Sequence, residues 1–293
     1  IDDPELYFQV KTYTGTGSSH AVTLDGDEDM QPDLVWIKNR GNAANHMLYD
    51  SVRGVQKTLF SNITNAETAG AGHLTAFGSD GFTLGDNSGT GSSNGSSETY
   101  VAWCWKESAD AGFDIVSYTG NAVEGRTISH SLSAVPDMYI IKNRSAAEPW
   151  LVYHGSLGNT KGLYVNTTMA AATNSLYTND TSPTSSVFSV SDWEGNNGDG
   201  NNLIAYLFAE KQGFSKFGSY TGNGNADGTY VHLGFRPAMI IIKTTSGSDR
   251  WVISDNKRDT DNPVVGELNP NDGAVEDTSS TPFDFLSNGF KLR

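Results

Sequence analysis

The stretch "PDLVWIKNR" at residues 32–40 returns as "PDMYIIKNR" at residues 136–144 and, in worn form, as "PAMIIIK" at residues 237–243. Pro136 follows Pro32 by 104 residues, and Pro237 follows Pro136 by 101. Other landmarks keep the step: "YTG" begins at Tyr13, Tyr118 and Tyr220, and "KTLFSN" at residues 57–62 returns as "KGLYVN" at residues 161–166. A period of this length exceeds the roughly 20–50 residues of solenoid units and suits a domain with its own core. The chain reads as a triplication, with units at residues 1–109, 110–211 and 212–293.

Within "LVWIK", Leu34 and Trp36 face one way and Val35 and Ile37 the other, so the strand is apolar on both faces and belongs between two layers. The same alternation sets Met138 and Ile140 against Tyr139 and Ile141, and Met239 and Ile241 against Ile240 and Ile242. Trp36, Ile140 and Ile241 are therefore expected at equivalent buried positions. The proline before each run lacks an N–H and suits the start of a strand.

Around this core strand each unit repeats one order of elements. An opening strand runs into "YTG", the core strand follows, and a second apolar run ("HMLYDS", "PWLVYHGS", "RWVISD") makes a hairpin with it. An "SDGF" turn at residues 79–82 is echoed as "SNGF" at 287–290, and "YVAWCWK" or "LIAYLFAEK" closes units one and two. This pattern predicts an all-β fold: three tandem antiparallel β-sandwich, jelly-roll-like repeats of about 100 residues. The linkers "ESADAG" (107–112) and "EKQG" (210–213) are too short to be tethers, which predicts rigid docking of successive units. The third unit stops at "NGFKLR" without a closing strand. The expectation is that the polypeptide continues past Arg293 and supplies it, or that a neighbouring chain does, and that the third unit is the least stable.

Composition agrees, since aromatics reach 11% and charged residues only 18%, the profile of short strands and turns rather than helices. The net charge of −15 argues against nucleic acid as a partner, because phosphate neutralisation needs clustered Lys and Arg. The lone cysteine, Cys104, has no partner for an internal disulfide and reads as a core thiol among apolar neighbours. The N-terminal "IDDPELYFQV" is acidic and lacks the apolar region of a signal peptide. No apolar run reaches the roughly 18 residues of a membrane span.

Motifs that carry chemistry are sparse. The six histidines stand in no zinc-binding spacing, and there is no nucleophile elbow or phosphate loop. "DGDED" at 25–29 and "DWEGNNGDGNN" at 192–202 miss the calcium-loop pattern and read as solvated loops. Lys38, Lys142 and Lys243 read as lysines snorkelling at strand ends, so Lys38→Ala should cost little. No cofactor, metal or catalytic residue is expected. Asp192, Trp193 and Glu194 are the candidate binding residues, because an aromatic among flexible polar residues suits adaptable recognition.

The quoted motifs, from "YFQVKTYTG", "QPDLVWIKNR" and "SDGFTLG" to "NTKGLYVNTT" and "FLSNGFKLR", resemble a repeat-containing domain family of uncharacterised function. That family occurs in virion structural and tail-fibre-like proteins of marine tailed phages. The resemblance covers essentially the whole chain and implies a place on the surface of a phage particle. Other virion proteins, further copies of the chain and host-surface carbohydrate are the implied partners. A tail fibre or surface appendage touching a host glycan or receptor is the leading expectation, since several weak sites on one rigid body gain avidity. The alternatives are a purely structural head decoration or spacer, and a glycan depolymerase with two carboxylates within about 10 Å.

Overall fold

The computed structural model of the chain describes residues 1–70, 72–86, 92–280 and 282–293. The fold is all-β with antiparallel sheets, and the α-helix among the described residues is the single turn Glu194–Asn197.

One sheet runs, in spatial order, Phe8–Thr14, Thr99–Trp105, Leu34–Asn39, Met47–Asp50, Lys57–Phe60 and Thr68–Ala69. A second sheet has the same order: Phe113–Thr119, Asn202–Phe208, Met138–Asn143, Leu151–His154, Lys161–Tyr164 and Ala172–Thr173. In both, the strand that comes late in sequence, the closing strand, is inserted between the opening and core strands. The registers match as well. Leu34, Trp36 and Lys38 lie opposite Trp105, Trp103 and Val101, and Met138, Ile140 and Lys142 lie opposite Phe208, Tyr206 and Ile204. The closing strand is apolar on both faces and buried along nearly its whole length, so the centre of the sheet satisfies both its backbone edges and both its faces.

Val35, Ile37, Tyr100, Ala102 and Cys104 pack against Val22, Phe82 and Leu84 of a small covering sheet made by His20–Val22, Gly81–Leu84 and Leu74–Gly78. Residues 110–211 and 212–293 have their own clusters beneath strands Arg126–Ser129 with Val187–Val190, and Tyr230–His232 with Gly289–Leu292 and Phe283–Leu286. Leu34, Trp36, Val101 and Trp103 turn the other way. They enter a cluster that also takes Ile140, Val152, Ile204 and Tyr206 from residues 110–211 and Trp251, Ile253 and Leu268 from residues 212–293. The strand Leu34–Asn39 is covered on both faces as its alternation predicts, but the second cover comes from residues 110–211 and 212–293. Trp36 and Ile140 are buried in this shared core opposite Leu48 and Val152, and Ile241, opposite Ile253, is half-buried at its edge.

The same junction occurs three times around that core. Glu67 N–H donates to the Arg144 carbonyl, Ala171 N–H to that of Thr245, and Glu276 N–H to that of Arg40, each at 2.9 Å. The contacts therefore run from residues 1–109 to 110–211, from 110–211 to 212–293 and from 212–293 back to 1–109, which closes a ring. Backbone N–H groups of His46, Trp150 and Trp251 donate to the side-chain oxygens of Asn62, Asn166 and Asn271 at 3.0, 2.9 and 2.8 Å. Trp150 Nε1 then reaches back to the Phe60 carbonyl (2.8 Å) and Trp251 Nε1 to the Tyr164 carbonyl (2.9 Å). His46 holds the third such place. Its Nδ1 accepts from Trp36 Nε1 at 3.0 Å, and burial, with Lys38 and Arg258 nearby, keeps the ring neutral, far below its usual pKa, against an upward pull from the Asn269 backbone.

The reading of Lys38 and Lys142 as snorkelling side chains is corrected here. Lys38 and Lys142 are fully buried, and each Nζ donates to its own strand end and to the unit before it in the ring: Asn39 and Gly273 carbonyls for Lys38, Asn143 and Thr64 carbonyls for Lys142. Lys243 makes the corresponding pair of bonds, to the carbonyls of Thr244 and Thr168. Loss of solvent lowers the pKa of Lys38 and Lys142 to about 8. Lys38→Ala would thus remove the ammonium from the Asn39 carbonyl and leave the Gly273 carbonyl with the Ala44 N–H alone, a cost at odds with the low one expected.

Candidate functional site

Where residues 1–109 and 110–211 each build a six-stranded sheet, the corresponding stretch of residues 212–293 keeps, among the described residues, a two-stranded sheet with isolated bridges beside it. Among the described residues Met239–Lys243 pairs with Trp251–Asp255 alone, and residues 214–222, which correspond to the opening strands, form no strand. Between them lies a groove of about 1060 Å³ whose floor is the shared core, including Trp36, Trp105, Ile140 and Phe208. Its walls are residues 214–222 and 237–246, so an apolar cleft is flanked by the strand Met239–Lys243 on one side and by residues 214–222, outside any strand, on the other. Apolar surface of this kind marks interaction sites when it is contiguous and rimmed by polar groups.

A buried ionic device stands where the closing strands of the other two units meet their neighbours. Asp50, the residue opposite Leu34, accepts from Tyr206 Oη (2.7 Å) and from Arg53 Nε; Arg53 continues to Glu67 (3.0 Å) and Glu67 to Arg144 (2.9 Å). Asp255, opposite Met239, accepts from Trp103 Nε1 (3.1 Å) and Arg258 (2.6 Å); Arg258 continues to Glu276 (2.7 Å) and Glu276 to Arg40 (2.9 Å). Each aspartate thus receives an aromatic donor from the closing strand of another unit. The place equivalent to Asp50 and Asp255 in unit two is His154, opposite Met138, and it lines the groove. His154 Nδ1 accepts from Ser156 N–H (3.2 Å), the ring lies 6.5 Å from that of Phe217, and burial lowers its pKa against the pull of Asp137. Sequence reading missed this set. Its signal was available as D-x-x-R at residues 50–53 and 255–258, followed by a glutamate at Glu67 in one case and at Glu276 in the other.

Of the residues singled out from sequence, Asp192 and Glu194 are exposed and Trp193 is half-buried. Trp193 packs against Tyr164 and Tyr177 at 6.3 Å ring separation, and Glu194 opens the one-turn helix. The loop behind them is built rather than loose. Asn196 donates to the Leu176 and Tyr177 carbonyls, and Asn197 to those of Val123 and Ser191. The three residues therefore sit side by side on a supported corner, with two carboxylates facing solvent beside an aromatic edge.

Glu107 and Cys104 also carry perturbed acidity. Burial and a hydrogen bond with Asp114 push the Glu107 carboxyl up to about 7. The raised pKa lets Glu107 hold a proton near neutral pH beside Asp114. Burial raises the Cys104 thiol well above its usual range, which makes it an inert core side chain. Among the described residues no group of three or more His, Cys, Asp or Glu is placed to hold a metal ion, and no helix is long and apolar enough to cross a membrane.

Compared with known proteins, residues 3–293 match the family described as "Domain of unknown function (DUF7483)". No curated protein and no solved structure matches the chain.

Proposed function

For a chain that belongs to the DUF7483 domain family across residues 3–293, we propose a structural role on the surface of a virion: a rigid block within a tail fibre or surface appendage, made of three tandem β-sandwich repeats of jelly-roll type. The observation that carries this reading is the closed ring of junctions. Three units bury one face each in a common core and tie their ends with backbone hydrogen bonds, buried lysines and two charged relays. Such a body resists bending between its units, which is what a part of a particle under mechanical load requires. The resemblance to virion proteins of marine tailed phages supplies the setting, with other virion proteins as neighbours.

The ring also favours one alternative within the same class. Units that close on one another do not extend a rod by themselves, so a decoration or spacer that holds other proteins at a fixed distance fits the shape equally. Host contact is assigned to the corner of Asp192, Trp193 and Glu194, with glycan as the ligand class, because a half-exposed indole beside carboxylates stacks on a sugar face and bonds its hydroxyls. Antibodies to the purified chain, imaged on intact particles, test the location; absence of label from particles refutes it. A glycan array with the native chain and Trp193→Ala tests the contact, and equal profiles for the two refute it.

A further inference from the structure

We propose that the groove beside Met239–Lys243 is a strand-accepting site that binds one extended peptide segment of closing-strand chemistry, antiparallel to Met239–Lys243 on one side and to residues 215–221 on the other. The occupant is a polypeptide strand of about seven residues, apolar on both faces, with a tyrosine at its fifth position.

Four observations lead to this. First, the gap has a defined partner geometry: in the other two sheets the strand between the opening and core strands pairs with both, over seven residues on one side and six on the other. Among the described residues nothing fills that position in the third unit, and the backbone edge of a central, apolar strand faces the cleft. Such an edge is a template for strand addition.

Second, unit three retains fittings whose use in the other units is to receive the segment that leads into the closing strand. Gly15 and Gly120 admit no side chain, because a Cβ there would collide with the carbonyl oxygens of Gly95 and Gly198. Asn94 and Asn197 accept from the backbone of Thr16 and Asn121 at 2.9 and 3.1 Å, and Tyr13 and Tyr118 donate to the Ser93 and Asn196 carbonyls, both at 2.7 Å. The corresponding Gly222 has no atom within 4 Å of where its Cβ would be. The corresponding Tyr220 is half-buried and keeps with Phe290 the edge contact that Tyr13 makes with Phe82, both at 6.2 Å.

Third, the floor is made for a second layer. Trp36, Trp105, Ile140 and Phe208 end there instead of under a further strand. Fourth, the ring places His154 where Asp50 and Asp255 receive Tyr206 and Trp103, which are the fifth residues of Asn202–Phe208 and Thr99–Trp105. With Nδ1 accepting from Ser156, the neutral His154 ring presents Nε2–H as a donor. A tyrosine hydroxyl accepts from it; an indole N–H does not. The site is therefore selective between two otherwise similar strands.

The test uses the 293-residue chain and two synthetic peptides with the sequences of residues 201–210 and 98–107. The expected result is saturable binding of the first, at least tenfold tighter than the second, with amide exchange of residues 240–242 and 215–220 slowed at least tenfold. Its Ile204→Pro form, which cannot pair along the ladder, should not bind. Because free apolar peptides can aggregate, the same strand is also supplied in cis by appending residues 192–210 after Arg293. That chain should show the same protection, and Gly222→Ala should abolish it while leaving exchange in the unextended chain unchanged. Absence of protection in both formats overturns the proposal. So does protection of 240–242 in the unaided chain equal to that of residues 35–37, or a concentration-dependent dimer that protects these amides, which would make a second copy the occupant.

Discussion

Asp50→Asn tests whether the relay from Asp50 to Arg144 joins two units or merely decorates one. Asp50 and Arg53 are both inaccessible to solvent, and Asp50 accepts from Arg53 Nε, from Arg53 N–H (2.8 Å) and from Tyr206 Oη (2.7 Å). The amide removes the charge and leaves the guanidinium buried with Glu67, at 3.0 Å, as its remaining counter-ion. Breaking a buried pair by removing one member costs about 3–5 kcal/mol, against about 0–1 kcal/mol for a surface pair. At about 2–4 °C per kcal/mol for chains of this size class, the melting temperature should fall by about 6–20 °C. Because Tyr206 belongs to the second unit, amide exchange should accelerate at residues 138–143 as well as at 34–39. Urea unfolding followed by tryptophan fluorescence gives the first quantity, and exchange read by mass spectrometry gives the second. A cost under about 1 kcal/mol, or a loss confined to residues 34–39, would refute the reasoning. Replacing the pair together, as Asp50→Leu with Arg53→Met, should recover most of the loss, because an apolar pair of similar volume carries no desolvation penalty.

The lowered pKa of Lys38 and Lys142, about 8 against an ordinary value of 10.5, means that the unfolded chain holds more protons between these values. Stability should rise as the pH goes from about 8 towards 10, by up to about 3 kcal/mol per lysine, and Lys38→Met should flatten that rise in a urea titration run at several pH values. Glu107 works in the opposite sense: its folded pKa near 7 exceeds the ordinary 4.5, so stability is lost as the pH rises between these two values. Glu107→Gln should therefore stabilise at about pH 8 and change little at about pH 4, and equal effects at both would remove the proton-sharing pair from consideration. Trp36→Ala should cost about 3–5 kcal/mol and loosen amides in all three units, since its ring lies in the shared core; a loss limited to residues 1–109 would contradict that core. Cys104 should not react with a thiol reagent at about pH 8 in the folded chain and should react once in urea, which a titration of free thiol checks.

What the sequence determined by itself was local and periodic. The alternation of Leu34 and Trp36 with Val35 and Ile37 required cover on both faces, because a pleated strand presents successive side chains to opposite sides. The proline before each run located the strand start, and the internal period located the corresponding strands Met138–Asn143 and Met239–Lys243. Cys104 was legible as a core thiol for the same reason of local pattern. The identity of the second cover was not legible. An apolar face is equally satisfied by a sheet of its own unit or by another unit, and only the three-dimensional arrangement decides which surface reaches it first. The same ambiguity misassigned Lys38 and Lys142. A lysine at a strand end looks alike whether it emerges into water or meets the carbonyls of a neighbour 78 or 235 residues away in sequence, and the difference rests on long-range backbone placement that residue type does not encode. His154 shows the limit most clearly: its meaning comes from Asp50 and Asp255 at matching places in the ring, and the groove it lines exists because three sheets converge on one core.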